Sequence, residues 1–235
     1  MFRYQILIEY AGTSFRGWQV QKKGKTIQGL IQDKISKLLK ERILIFGAGR
    51  TDTGVHAIEQ SAHFDCKKKI INKEKFLQSI NYFLYDEKVA ILKIKKRNNK
   101  FHARFSASMR VYKYVILNRL SRPVLDKNRS WHIMRELDLI AMRKGAKKLI
   151  GTKDFSTFRA SSCRAKSPIK TMKLVKIVSS KNKIVIEFQS KSFLQKQVRS
   201  MVGCLKYLGE KKWTLKKFEN VINSKKRVLC APLAP

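Results

Sequence analysis

A chain of 235 residues is long enough for one large domain or two of ordinary size, each with its own core. Its 53 Lys+Arg against 16 Asp+Glu leave a formal net charge of +37, a positive field whose most common polyanionic partner is nucleic acid. No apolar run could cross a bilayer, the N-terminus lacks a signal-type core, and Cys66, Cys163, Cys204 and Cys230 form no Cys-x-x-Cys pair, so a soluble cytoplasmic protein without disulfide framework or metal site is expected.

The first half alternates and then coils. Residues Arg3 to Tyr10 place Tyr4, Ile6, Ile8 and Tyr10 on one face, a strand pattern. Thr26 can open a helix whose apolar positions Ile27, Leu30, Ile31, Ile35, Leu38 and Leu39 follow the three-and-four spacing of one buried stripe. Two strand-like runs come next, Ile43 to Phe46 and Ser61 to Cys66, with a glycine-rich loop between them. Asn72 can cap a helix carrying Phe76, Leu77, Ile80, Phe83 and Leu84, and Val89 to Lys95 alternates as a further strand. The order is βαββαβ, the ferredoxin-like arrangement of an antiparallel sheet with two helices on one face.

The second half repeats this order. Val111 to Asn118 reads as a strand, and Leu139 to Ile150 as a helix with Leu139, Ile140, Met142, Ala146 and Leu149 inside. Met172 to Ser179 and Lys183 to Ser190 are strands, after which Leu194, Val198, Met201, Val202, Leu205 and Leu208 mark a long helix. Cys204 within that stripe reads as a small core residue. A helix over Leu215 to Asn223 follows, and Leu229 to Pro235 then holds two prolines, which a central strand does not accommodate. The pattern predicts an α+β protein of two ferredoxin-like halves, 1–98 and 99–235, joined near Lys96 to Lys100, the second half lacking its last strand.

The chemistry concentrates between Gly47 and Ala57. Gly47, Gly49 and Gly54 let that backbone turn tightly and approach a ligand, and they bracket a single carboxylate, Asp52, with Arg50 two residues before it and His56 four after. A neighbouring guanidinium favours the charged carboxylate, although the same spacing suits a turn aspartate that bonds its own loop. Lysine is enriched alongside isoleucine and asparagine, a mark of compositional drift. The arginines are placed more selectively: Arg50, Arg104, Arg110, Arg159, Arg164 and Arg199 sit beside glycine, aromatic or hydroxyl residues, where a flat guanidinium can meet phosphate or stack on a base. Runs such as Lys67-Lys68-Lys69 and Lys211-Lys212 read as solvated faces.

Gly49-Arg50-Thr51-Asp52-Thr53-Gly54-Val55-His56-Ala57 resembles the catalytic motif of the TruA family of tRNA pseudouridine synthases. The resemblance extends in order through Glu9 to Gln19, Phe101 to Ala107, Arg110 to Tyr114, Asp154 to Arg159 and Phe193 to Gly203. It implies two ferredoxin-like halves whose antiparallel sheets join across a basic cleft. It also implies isomerisation of uridine to pseudouridine at positions 38, 39 and 40 of the tRNA anticodon stem-loop, without cofactor or metal, by a homodimer that shares a tRNA between subunits. Asp52 would be the catalytic aspartate, acting on the uracil ring, on the ribose carbon or in glycosidic cleavage. Arg199 would be the basic residue that pairs with it, Tyr112 the tyrosine that stacks on the target base, and Arg50 the residue that holds the extruded nucleotide. Arg104 and Arg159 would contact phosphates. Two positions depart from the family: Ala11 stands where Asp is usual, and Ala231-Pro232 does not lead into the strand that closes the second sheet. The rival reading is a weakly active or inactive tRNA-binding protein. A metal-dependent nuclease fits poorly, since the loop offers one carboxylate where converging ones are needed.

Overall fold

The computed structural model describes residues Met1–Pro235. They form an α+β protein of two compact units, Met1–Ala107 and Ser108–Pro235.

In the first unit the elements are β1 (Phe2–Tyr10), α1 (Ile27–Leu39), β2 (Ile45–Gly47), β3 (Ala57–Cys66), α2 (Lys73–Phe83) and β4 (Val89–Arg97). The strands lie in the order β2-β3-β1-β4, every pair antiparallel. The alternation of β1 buries Tyr4, Ile6, Ile8 and Tyr10 in one core with Ile27, Leu30, Ile31 and Ile35 of α1 and Phe76 and Ile80 of α2. Both helices start on side-chain caps: Thr26 Oγ1 accepts from Gly29 N and Asn72 Oδ1 from Lys75 N, each satisfying an amide that the first helical turn leaves open. Ile43, expected in a strand, is buried but tied to α1 instead, its amide donating to Ser36 Oγ. β3 begins earlier than its hydrophobic pattern because Ala57 and Gln60, opposite Tyr10 and Ile8, pair with β1 while Ile58 stays exposed.

The second unit contains β5 (Arg110–Asn118), β6 (Trp131–Ile133), α3 (Leu139–Lys148), β7 (Gly151–Asp154), β8 (Ile169–Ser180), β9 (Lys183–Ser190), α4 (Gln197–Gly209) and α5 (Leu215–Ser224). Its five strands run β6-β5-β9-β8-β7, and only the β5–β6 pair is parallel. Ile116, Ile184, Ile186 and Phe188 of the sheet share one core with Met142 and Ala146 of α3, Met201, Val202, Leu205 and Leu208 of α4, and Phe218 of α5. Ile140 is an exception to the expected stripe, 66% exposed on the outer side of α3. α4 starts at Gln197 rather than Leu194, because Lys196 takes a left-handed backbone (φ 61°) and Gln197 Oε1 accepts from Leu194 N at 2.8 Å. After α5 the chain makes a 3₁₀ turn over Arg227–Leu229 and then runs without strand pairing along α4.

The units divide between Ala107 and Ser108, nine residues beyond the expected boundary after residue 98. Residues 99–107 dock on the first unit: Arg3 Nη1 donates to the carbonyls of Asn99 and Phe101, both at 2.7 Å, and Ala103 N donates to His63 Nδ1 at 3.2 Å.

Candidate active site

The Asp52 loop joins β2 to β3 and is held mostly by backbone. Ala48 N donates to Ser61 O at 2.8 Å, and Gln60 Nε2 to Gly49 O at 2.7 Å, so the loop's entry is fastened to the strand that leaves it. Val55 N donates to Asp52 O at 3.2 Å, closing a tight turn that Gly54 completes with φ +79°, a conformation residues with a Cβ rarely adopt. Asp52 is half-buried and Arg50 exposed on the same loop.

A second wall comes from Ala11 to Trp18, the stretch after β1. Trp18 N donates to Thr51 O at 3.1 Å, and the Tyr10 hydroxyl shares a 2.8 Å hydrogen bond with Thr51 Oγ1. Gly12 N donates to His56 Nδ1 at 3.2 Å. The fit leaves no room for side chains at two glycines: a Cβ on Gly12 would lie 2.0 Å from Val55 O, and one on Gly17 2.6 Å from Thr51 O. His56 therefore accepts a backbone hydrogen bond within the cradle. Ala11 sits on this wall, its amide donating to Lys88 O at 2.9 Å.

Beyond β3, the 99–107 segment presents Arg104 on the surface, its guanidinium carbon 5.7 Å from the Phe105 ring centroid. The segment rests on a ring cluster, with His63 stacked on Phe46 at 5.1 Å and edge-on to His102 at 4.6 Å. Burial, then the proximity of His102 and Arg3, pushes the His63 pKa down to about 4, so it stays neutral as a packing and acceptor group. Arg3 pairs with Asp65 through two hydrogen bonds at 2.7–2.8 Å, which hold that carboxyl below the usual range.

Tyr112, Arg159 and Arg199 lie in the second unit. Tyr112 is on β5, opposite Phe188 of β9, its half-buried ring edge-on to Phe193 with centroids 5.0 Å apart. Arg159 Nη2 donates to the carbonyls of Cys163 at 2.6 Å and Ala165 at 2.8 Å, which makes it a staple of its own loop. Arg199 is in the first turn of α4, and its Nε donates to Ala234 O at 2.8 Å. Cys204, deeper in the same helix, is fully buried with its Sγ 3.4 Å from Cys230 Sγ; that contact and burial raise its thiol pKa, as expected of a packing residue. No three His, Cys, Asp or Glu side chains converge as a metal site.

A family model described as tRNA pseudouridine synthase matches residues 6–106 and 146–235, spans that contain the Asp52 loop, its Gly12 wall, Arg159 and α4. The chain belongs to the tRNA pseudouridine synthase family. Among its relatives, the tRNA pseudouridine synthase A of Pelagibacter ubique (strain HTCC1062) is 67% identical over 235 residues, covering all of this chain and 96% of the relative. The protein of that name from Paramagnetospirillum magneticum (strain ATCC 700264 / AMB-1) is 42% identical across the whole chain and 91% of its own length. The one from Afipia carboxidovorans (strain ATCC 49405 / DSM 1227 / KCTC 32145 / OM5) is 40% identical, with 100% and 96% covered.

Sequence reasoning singled out the Asp52 loop of this family member but not what holds it. Tyr10, Gly12 and Gly17 had signals, two glycines and an aromatic at the end of a strand, yet nothing in the sequence shows which distant backbone they touch. Likewise Ala234 carries no side-chain cue for its contact with Arg199.

Proposed function

We propose that this chain is a tRNA-modifying isomerase that converts uridine to pseudouridine, with Asp52 as the catalytic carboxylate. The observation that carries the reading is a single half-buried aspartate in a backbone-clamped loop, within a chain 67% identical along its full length to a protein named tRNA pseudouridine synthase A. The reaction breaks the bond between ribose C1′ and uracil N1, turns the base and joins C1′ to C5, whose proton is lost as N1 gains one. Substrate and product are isomers. Asp52 contributes a carboxylate to this exchange, whether towards the ring, the ribose carbon or the departing base. A carboxylate is a weak nucleophile in water, and a loop fixed by backbone hydrogen bonds holds it in place without reorganisation when the base arrives.

The remaining roles follow the same reading. Arg50 holds the extruded nucleotide, Tyr112 stacks on the target base, Arg199 is the cation that pairs with the catalytic carboxylate, and Arg104 and Arg159 favour phosphates. The substrate positions are 38, 39 and 40 of the anticodon stem-loop, and the working form is a cytoplasmic homodimer. Ferredoxin-like halves joined across a basic cleft are part of the proposal, supported in the first unit by the β2-β3-β1-β4 order and in the second by the β5-β9-β8 neighbours. A tRNA binder without chemistry gains nothing from the comparisons.

Tritium release from tRNA labelled at uracil C5 tests the proposal. The 235-residue chain is expected to release tritium and its Asp52→Asn form to release none while still binding tRNA. Equal release from both would remove Asp52 from the chemistry, and no release from either would favour the binder.

A further inference from the structure

We infer that the segment Ala231–Pro235 is a positioning element for Arg199, and that Gly203 is the residue that lets it act. The inference rests on the role given to Arg199 above. The segment, together with the 3₁₀ turn and Cys230 that lead into it, lies along the first half of α4 and is fastened at successive points. Arg227 Nη1 donates to Ser200 Oγ at 2.7 Å, and Cys230 Sγ meets Cys204 Sγ at 3.4 Å. Ala234 then joins Arg199 twice: its amide donates to Arg199 O at 3.2 Å, and its carbonyl accepts from Arg199 Nε at 2.8 Å. Beyond it, an oxygen of Pro235 accepts from the Tyr114 hydroxyl at 2.9 Å. Ala231 and Ala234 are themselves buried, so the segment is packed as well as hydrogen-bonded.

Arginine ends in several rotatable bonds, and a guanidinium that must meet a carboxylate in one orientation gains from having Nε committed in advance. A backbone carbonyl is well suited to this, because it neutralises no charge and moves only if the chain moves. The approach of that chain depends on Gly203. A Cβ there would lie 2.1 Å from Pro232 O, where real contacts of this kind stay beyond 3.0 Å. One methyl group on the buried side of α4 therefore pushes the segment away two residues before the carbonyl that Arg199 uses. Tyr114 fixes the far end: burial raises its pKa to about 12 against the lowering influence of Arg199, so the phenol remains a hydrogen-bond donor.

Turnover and KM for tRNA in Gly203→Ala, Tyr114→Phe and Arg199→Lys, and in each of the first two combined with Arg199→Lys, test the inference, with the thermal midpoint as a control for folding. Gly203→Ala is expected to lower kcat about 100-fold with KM unchanged, the scale of a misplacement near 1 Å. Tyr114→Phe, which removes one oxygen and introduces no clash, is expected to lower kcat by a smaller factor. Both effects should vanish in the Arg199→Lys background, since there is then no guanidinium to orient. Full activity in Gly203→Ala, or losses of equal size with and without Arg199, would overturn the inference while leaving the role of Arg199 in place. Full turnover in Arg199→Lys alone would remove that role, and the inference with it.

Discussion

At Gly12 a hydrogen atom occupies a place where a methyl carbon would lie 2.0 Å from Val55 O, on the loop that carries Asp52. Backbone meets backbone there, so no rotamer change relieves the clash, and an added Cβ must displace either the loop or the wall that supports it. Gly12→Ala is expected to cost about 1–3 kcal/mol of stability, as overpacking usually does, but about 100-fold in turnover because the displaced residues are those around Asp52, the carboxylate proposed to react. Thermal unfolding beside tritium release measures both, and a variant that loses stability without turnover would show the cradle to be mere packing. The same residue marks the limit of what sequence makes legible at a site. Asp52, Arg50 and their glycines lie within a few positions of one another, so their association can be read along the chain. The bonds from Gly12 to His56 and from Tyr10 to Thr51 span more than forty residues and depend on how β1 and β3 pair. Arg159 shows the converse: its chemistry suits phosphate, while its Nη2 is spent on two carbonyls nearby, a use that residue type alone does not disclose.

Among the elements, those with several turns or alternations were legible, while of the strands of three or four residues only β2 was anticipated, two residues early. β1 and α1 each bury four residues at the period of their own geometry, which is enough to identify them. β6 and β7 have three and four residues, too few to show a period, and exist because longer neighbours offer open ladder positions: Ile116 to Asn118 for β6, Ile169 to Met172 for β7. Edges left open in the first sheet are managed differently. β4 is an edge strand, and Asn81 of α2 covers it, donating through Nδ2 to Ile91 O at 2.9 Å and accepting through Oδ1 from Ile91 N at 2.8 Å. One side chain thus supplies both hydrogen bonds that a further strand would have made, and it ties the last turn of α2 to β4. Asn81→Ala removes them and leaves two backbone groups of a buried residue unsatisfied, an expected loss of about 1–3 kcal/mol. Urea unfolding would show it, and Asn81→Asp, which keeps the acceptor and loses the donor, should fall between the two.

For the whole molecule the governing quantity is charge. A formal excess of +37 on 235 residues means that most cationic side chains have no acidic partner to offset them, and the folded state gathers them closer together than the unfolded chain does. Few ion pairs are enclosed, Arg3 with Asp65 and Lys206 with Glu210 among them; others, such as Lys148 with Glu219 at 2.6 Å and Lys183 with Asp126 at 2.9 Å, lie towards the surface, where such contacts contribute little. Self-repulsion should therefore outweigh pairing, and screening it should stabilise the fold: the thermal midpoint is expected to rise as monovalent salt is added to about 0.2 M, over which the screening length shrinks below about 10 Å. The same salt should weaken tRNA binding steeply, because each phosphate contact releases counterions; six to ten contacts correspond to about 10³–10⁵ in affinity between 50 and 200 mM. Salt thus acts with opposite sign on stability and on recognition, while tRNA itself, binding the folded form more tightly than the equally charged unfolded chain, should raise the midpoint most where salt is lowest. Scanning calorimetry across a salt series, with and without tRNA, separates the two effects. A midpoint that falls as salt is added to the free protein would mean that ion pairs outweigh repulsion, and that the excess charge is distributed so as not to oppose itself.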